Sequence, residues 1–468
     1  MTKKTRTILF SFLVIFFFFM AAIAIFYAQG LRFDFKNFKV LKTGGISVKA
    51  SPINAKVFLN QKLAGQIALM SDYVFVQGLL PKTYEVRVEK EGYMPWSKNL
   101  EVEETKVTEA KSVVLFPQNI HFNGGKSGIE KIYPLNGDKL VLQYQSSKNS
   151  SGRISIYDLN KEEETVLAGI NAFLTDNDLL DLKVLDAQDL LFLLKNKKSE
   201  KTNYFLIDLD AQDLSAQKLG FIGENSDSIL LASSFSDKIL FWLEDETIFK
   251  RSLAANTANE TSQKFSVQKT AAFTLSDGYF YILSENGDLS RIDQNKNFPS
   301  QQLTGRPFEI KNAKNPELSV LAGQVFLKDD GDLYALDEKE RSFKKIFEGV
   351  EELKASPFED KLLCQLQNEL WIYALKDMDA PSQEKAGTKI FISRFSQQVQ
   401  KSDWIDDNYF AFSTTDKINI SETDIRSNLN MYEIASLEGS ELWFNQKNGK
   451  LYILSEGTLL VSDKLLSK

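Results

Sequence analysis

Residues 8–28, ILFSFLVIFFFFMAAIAIFYA, run for 21 positions without a charge, and no other feature constrains the chain as strongly. At 1.5 Å per residue a helix of that length spans roughly 30 Å, the thickness of a bilayer's hydrocarbon core. Lys3, Lys4 and Arg6 lie just before it, and the positive-inside bias assigns residues 1–7 to the cytoplasm and 29–468 to the far side of a plasma membrane. The competing reading is a cleaved signal peptide, whose apolar region spans about 7–15 residues and ends in a small-x-small site. Ala22-Ile23-Ala24 has that pattern and Ala28-Gln29-Gly30 approaches it, but the apolar run is longer and continues through Phe26 and Tyr27. A retained transmembrane helix over 8–28 is therefore the expectation. Either reading exports the bulk of the chain.

The exported part resembles no disordered tail. Hydrophobic residues make up 43% and charged residues 25% of the chain, an ordinary globular balance. A net charge of −7 is mild, with both signs interspersed, which argues against a nucleic-acid partner. Cys364 is the only cysteine and His121 the only histidine. The chain thus has no intramolecular disulfide and no Cys/His zinc site, and must be stable through its cores. Cys364 sits in the apolar run Lys361–Leu366, where a buried inert thiol is expected. His121 follows a domain junction and has no nucleophile motif to serve.

After the helix, 29–43 reads as a juxtamembrane linker in which Phe33, Phe35 and Phe38 alternate with Arg32, Lys36 and Lys39, placing rings at the lipid interface. From Gly45 short strands follow. Ile46–Ala50, Lys56–Asn60, Thr83–Lys90 and Lys106–Leu115 alternate with period two and are separated by turn residues. That pattern predicts a small antiparallel β-sandwich over 44–117.

Several fixed offsets within this segment agree with one family. Pro52-Ile53-Asn54-Ala55-Lys56-Val57-Phe58-Leu59-Asn60 with Gly65, then Leu80-Pro81, Thr83–Lys90 and Glu91-Gly92-Tyr93-Met94-Pro95-Trp96, resemble the PEGA domain. The family's Thr-Pro pair after the glycine is replaced by Gln66-Ile67-Ala68, and its turn glycine after Leu-Pro by Lys82. The resemblance implies a surface-exposed β-module that binds or presents rather than catalyses. Gly65 and Gly92 are expected at positive φ, and Tyr93 and Trp96 in core or rim packing.

Residues 118–468 carry a repeat. Eight apolar hairpins recur at spacings of roughly 35–50 residues. They are Lys139–Tyr144 with Ile154–Leu159, Leu190–Leu194 with Tyr204–Leu209, Ile239–Leu243 with Glu246–Lys250, and Tyr279–Leu283 with Leu289–Ile292. Gln324–Leu327 with Leu333–Leu336, Leu362–Leu366 with Leu370–Ala374, Tyr409–Phe412 with Asn430–Ile434, and Leu451–Leu454 with Leu459–Val461 complete the set. Two turns, Glu285-Asn286-Gly287-Asp288 and Asp329-Asp330-Gly331-Asp332, look nearly superimposable. All-β repeats of 40–45 residues with four short strands each predict a β-propeller, of eight blades or alternatively seven. The last repeat lacks a strand after Val461-Ser462-Asp463, which Asn119-Ile120-His121-Phe122 would supply to close the ring. Resemblance to WD40-like or quinoprotein-like propellers is architectural, since the Gly-His and Trp-Asp marks are missing.

No chemistry-bearing motif stands out. Asp176-Asn177-Asp178 with Asp181, and Asp329-Asp330-Gly331-Asp332, lack the alternating spacing of a calcium loop and read as hairpin turns. Gly124-Gly125-Lys126-Ser127-Gly128 has Ile120 where a P-loop needs its first glycine. No catalytic, cofactor-binding or metal-binding residue is nominated, and no cofactor is expected. The sequence thus reads as a membrane-anchored extracytoplasmic protein with an envelope protein or surface polysaccharide as partner, no nucleic acid, and non-catalytic binding or scaffolding as its work. Its alternative is a propeller-based glycan hydrolase or lyase.

Overall fold

The computed structural model describes residues 3–34, 38–69, 71–135, 137–146, 152–185, 188–211, 213–224, 226–233, 238–253, 261–265, 269–293, 301–312, 316–378, 384–438 and 441–466. Phe35 and Lys36 of the linker alternation lie outside these residues.

The uncharged run 8–28 and the basic residues before it become one long helix, α1, over Lys3–Ala28. Its apolar side chains are left open to the surroundings, with Phe10, Ile15 and Phe18 all exposed, and only at its end does the Arg32 guanidinium stack on the Tyr27 ring. A turn at Gly30 leads into a hairpin of β1 (Leu31–Asp34) and β2 (Lys39–Lys42).

Seven strands then build the sandwich: β3 (Gly44–Ser51), β4 (Lys56–Leu59), β5 (Lys62–Gln66), β6 (Tyr73–Leu79), β7 (Thr83–Glu89), β8 (Trp96–Glu101) and β9 (Val107–Val114). One sheet has the order β6-β3-β9 and the other β5-β4-β7-β8. The period-two apolar positions Ile46, Val48, Val57, Val74, Val86, Val88, Leu100 and Ala110 fill the space between. The sandwich is not wholly antiparallel, because β3 and β9 pair in parallel, Ile46 against Thr108. Period-two patterning sets which face is buried but not which way a neighbour runs. Gly92 has φ +79°, as expected, whereas Gly65 is required for space: a Cβ there would lie 2.7 Å from Val74 Cγ1.

Eight four-stranded antiparallel sheets follow, each a blade. Blade one comprises Ile129–Leu135, Lys139–Tyr144, Arg153–Asp158 and Glu163–Val166. Blades two to seven span 177–218, 226–264, 270–302, 317–347, 350–394 and 401–435. In each, the second strand carries a mostly apolar, buried run because both of its faces are covered by neighbouring blades, as in Leu190–Leu194 and Leu362–Cys364. Blade eight is built from both ends of the repeat. Glu441–Asn445, Lys450–Ser455 and Thr458–Lys464 are completed by β10 (Phe122–Ser127), which pairs with the last of them. The ring is closed by that strand, a few residues later than Asn119–Phe122. In blade seven the partner of Tyr409–Ser413 is Ile418–Glu422, and Met431–Ala435 is the outer strand, so the expected hairpin with Asn430–Ile434 skipped one strand. A seven-residue helix, α2 (Ala168–Leu174), connects blades one and two and buries Ile170 and Leu174.

Candidate functional site

Strand direction fixes what stands at each end of the sandwich. β3 starts at Gly44, beside the end of α1, and finishes at Ser51, whose carbonyl accepts from Leu115 N at 3.0 Å where the chain leaves for the propeller. Eight residues at about 3.3 Å each make the sandwich a spacer of roughly 25 Å between helix and propeller.

At the propeller end the two modules share a buried polar joint. Trp96 and Lys98 alternate with Ser97 on β8, on the side that faces blade seven. Lys98 is 1% exposed, and its Nζ donates to the carbonyls of Asp424 (2.6 Å), Arg426 (2.9 Å) and Asn428 (2.8 Å) and meets Glu422 Oε1 at 2.7 Å. The loop between two strands of blade seven thus curls around one ammonium group. Glu422, 2% exposed, also accepts from Trp96 Nε1 (2.8 Å), Asn430 N (2.8 Å) and Asn430 Nδ2 (2.7 Å). Burial pulls its carboxyl toward protonation and the Lys98 charge opposes this. Around the pair, Arg426 Nη2 donates to Glu109 O (3.0 Å), Tyr432 Oη to Pro95 O (2.9 Å), and Val114 N to Tyr409 Oη (3.2 Å). Phe116, fully buried, packs edge-on to Tyr409 at 5.2 Å and joins the core between blades seven and eight. Every polar group named at this joint is satisfied, which makes a buried charge tolerable and fixes one relative orientation.

A second polar cluster lies on the ring's inner wall. The innermost strands of blades six and seven exchange charges: Lys354 Nζ reaches Asp403 Oδ1 at 3.1 Å, and Lys401 Nζ reaches Glu352 Oε1 at 3.3 Å. Asp403 Oδ2 accepts from Phe444 N of blade eight at 2.8 Å. In the first strand of blade one, burial and then the charges of Asp181, Glu441 and Glu130 push the Tyr133 phenol up to about 12.

Carboxyls with raised proton affinity are the natural candidates for acid–base chemistry. Burial raises Asp403, Asp406 and Asp407, the second to about 6. Each is tied into the framework: Asp403 as above, Asp406 Oδ1 by Asn408 N (2.7 Å) and Tyr409 N (2.8 Å), and Asp407 Oδ1 by Phe358 N (2.8 Å). Glu285 is raised chiefly by Glu246 beside it, but both lie on exposed turns of blades three and four with Lys269 against them.

The residues weighed in the sequence fall into structural places. Cys364 is fully buried, and desolvation drives its thiol well above the usual range. His121 is exposed at the ring seam, where its Nδ1 lies 3.0 Å from Asp463 Oδ2 and holds that carboxyl below its usual range. Asp329 accepts from Lys311 N (2.7 Å) and Asn312 N (3.1 Å), and Asp332 pairs with Lys311 (2.6 Å) and Lys345 (2.9 Å). Asp178 and Asp181 face Lys197 and Lys183. Among the described residues no three of His, Cys, Asp and Glu gather as a metal cluster. Trp96 is core, but its indole N–H also crosses to the propeller, which the sequence did not indicate. A cavity of about 690 Å³ opens between blades five and six beside Asp337, Lys339, Lys344, Lys345, Tyr373 and Lys389.

The PEGA domain family model matches residues 43–114. A search of curated proteins found no match. Among solved structures the chain is similar to the β-propeller domain of Cps50 (Swd1) from Myceliophteria thermophila, at 12% identity over 75% of this chain and 100% of that one, with a TM-score of 0.37. It is also similar to YCF48 from Cyanidioschyzon merolae (8% identity, 61% and 95% covered, TM-score 0.35) and to the dihydro-heme d1 dehydrogenase NirN in complex with DHE (12%, 76% and 74%, 0.42). Scores of this size carry no argument about function, and the propeller assignment rests on the eight sheets themselves.

Proposed function

We propose that this chain is a single-pass, membrane-anchored extracytoplasmic protein whose propeller works by non-catalytic binding or scaffolding at the cell surface or envelope. The observation that carries the reading is the joint built on Lys98 and Glu422. A buried ion pair with all its hydrogen bonds made sets one geometry between sandwich and propeller, so the ring is held at a fixed attitude rather than on a tether. A rigid ring that offers variable loops suits recognition. The apolar helix supports anchoring, and the PEGA match supports an extracytoplasmic place for the module next to it. The engagement of the raised carboxyls in backbone and ion-pair contacts supports binding over hydrolysis.

The test is to present the full chain, in lipid nanodiscs, to arrays of envelope glycans and envelope extracts while soluble products are monitored. Saturable binding without product is expected. Release of oligosaccharides would replace this reading with a glycan hydrolase or lyase. Protease added to intact cells should digest the propeller and leave an anchored stub, and protection of the propeller in cells stripped of outer layers would overturn the topology.

A further inference from the structure

We propose that the cavity between blades five and six is a saccharide site, taking a neutral, hydroxyl-rich sugar segment between the rims of the two blades. This rests on the binding role proposed above and gives it a place and a ligand class.

Strand ends put the cavity on a defined face of the ring. Its lining includes Gln324, which opens the second strand of blade five, and Asp337, which closes the third. Tyr409 and Glu422 hold the same places in blade seven, where the sandwich docks. Cavity and sandwich therefore share one face. The sandwich takes up the adjoining part of it, which favours a narrow occupant over a folded one.

The volume, about 690 Å³, lies within the roughly 300–1,000 Å³ of small-ligand clefts. Val325, Leu336, Ile346 and Leu375 supply an apolar base, and polar groups stand around it. Tyr373 Oη is set beside Gly387, where a Cβ would lie 3.7 Å from it, with the Gln324 amide close by. Burial raises this phenol above its ordinary value, so it keeps its proton and can donate. Lys389 crosses from blade six, and its Nζ donates to Ile346 O of blade five at 2.9 Å. One carbonyl leaves that ammonium further protons to donate. Asp337 is the matching acceptor. Lys344 and then the backbone N–H groups of Glu340 and Lys339 hold it down to about 2, so it is a carboxylate at any physiological pH.

Charge decides the ligand class. Lys344 is matched by Asp337 and Glu340, and Lys345 by Asp332 and Glu348. Lys339 and Lys389 make no ion pair among the described residues, but neither does Glu338 in the same lining. The cavity is thus close to neutral and exerts little pull on a phosphate or a polyanion. A purely apolar occupant would leave Asp337, Lys389 and the Tyr373 hydroxyl stripped of water without partners. Balanced donors and acceptors over an apolar base complement a pyranose ring, which carries hydroxyls at its rim and C–H groups on its faces.

The test presents the full chain, in lipid nanodiscs, to neutral oligosaccharides of hexoses and N-acetylhexosamines and to acidic ones bearing uronate or phosphate. Saturable binding to neutral members that withstands high salt is expected. Ala386→Trp sets an indole on the exposed rim of the cavity and keeps the backbone bond from Ala386 N to Asp377 Oδ1 (3.0 Å). It should weaken binding by about tenfold or more. Tyr373→Phe keeps the ring, removes one hydroxyl and should weaken binding several-fold. Both variants should melt with the parent. Binding left unchanged by both overturns the site while the binding role stands. Binding confined to acidic members and abolished by salt overturns the neutral class. Product release that A386W abolishes supports the site and overturns the non-catalytic role. No binding to any member overturns the site, and if envelope extracts also fail to bind, the role falls with it.

Discussion

A lysine shut off from water is stable only while its protons find acceptors, and Lys98 finds them on another module. Four acceptors from blade seven surround it within 2.9 Å. Lys98→Met leaves three carbonyls and the Glu422 carboxyl buried without their partner, so we expect a loss of about 3–5 kcal/mol in urea unfolding. K98M/E422Q should recover a large part of it, because the uncompensated charge is gone. Asp406 tests the opposite sign. Burial raises it to about 6, so between the ordinary carboxyl value near 4 and pH 6 the folded protein binds more protons than the unfolded one. Its stability contribution is therefore intact at low pH and lost as pH rises through 6. Asp406→Asn keeps the acceptor for Asn408 N and Tyr409 N and removes the charge. We expect it to raise the melting temperature at pH 7.5, by a gain of at most roughly 3 kcal/mol, and to match the parent at pH 4.5. An equal shift at both pH values would refute the ionisation argument. Neither residue was legible in the sequence. Lys98 falls between Trp96 and Leu100 on the buried side of an alternating strand, a charge at an apolar position that names no partner, and Asp406 lies in a plain Asp-Asp turn. Glu422, the counter-charge of Lys98, lies far along the chain in another module, and the burial that raises Asp406 comes from packing that an Asp-Asp pair does not reveal.

At the scale of elements, two turns show how far a motif reaches. Asp330 and Gly331 form a two-residue hairpin turn in which both have positive φ, 53° and 79°, and Asp329 pairs directly with Asp332. In the other turn Gly287 alone has positive φ, 85°, Leu283 pairs with Leu289, and Ser284 N donates to Asp288 O at 2.9 Å, so the loop is wider. Similar letters therefore close different loops, because the flanking register decides how many residues the turn must span. The two glycines should also respond differently. A Cβ on Gly331 meets only Gly349 Cα at 3.8 Å, so Gly331→Ala should cost about 1 kcal/mol, the left-handed penalty alone. A Cβ on Gly287 would fall 1.8 Å from the Phe308 carbonyl oxygen, and Gly287→Ala should cost about 3 kcal/mol or more. Denaturant midpoints of the two variants decide this, and equal losses would contradict it. The inner hairpins were readable because both faces are buried and the apolar run is continuous. The outer strands were not: Gln217–Lys218, Gln263–Lys264 and Gln301–Gln302 are two residues long, polar and exposed, and carry no period to read.

For the whole molecule, the repeat spacing and the missing last strand pointed to a closed ring of eight blades or seven, and the sheets number eight, whereas nothing in the spacing told where the sandwich would dock. Ring and joint are separate constraints, and Cys364 can tell them apart. It is the chain's only thiol, fully buried in the second strand of blade six. It can be labelled only when that blade opens, so its modification rate reports the open population of the propeller. Deleting residues 456–468 removes Thr458–Lys464 and leaves β10 without a partner, turning a closed ring into an open stack with two exposed ends. If closure contributes about 3 kcal/mol to the ring, labelling should accelerate roughly a hundredfold. Lys98→Met acts on blade seven from outside and leaves every blade sheet intact, so it should change labelling less than about tenfold while exposing the loop at 423–430 to protease. Fast labelling in K98M would mean that the sandwich braces the ring. Slow labelling in the truncated chain would mean that seven intact blades hold without the eighth, and that the seam at β10 joins the ends without stabilising the ring.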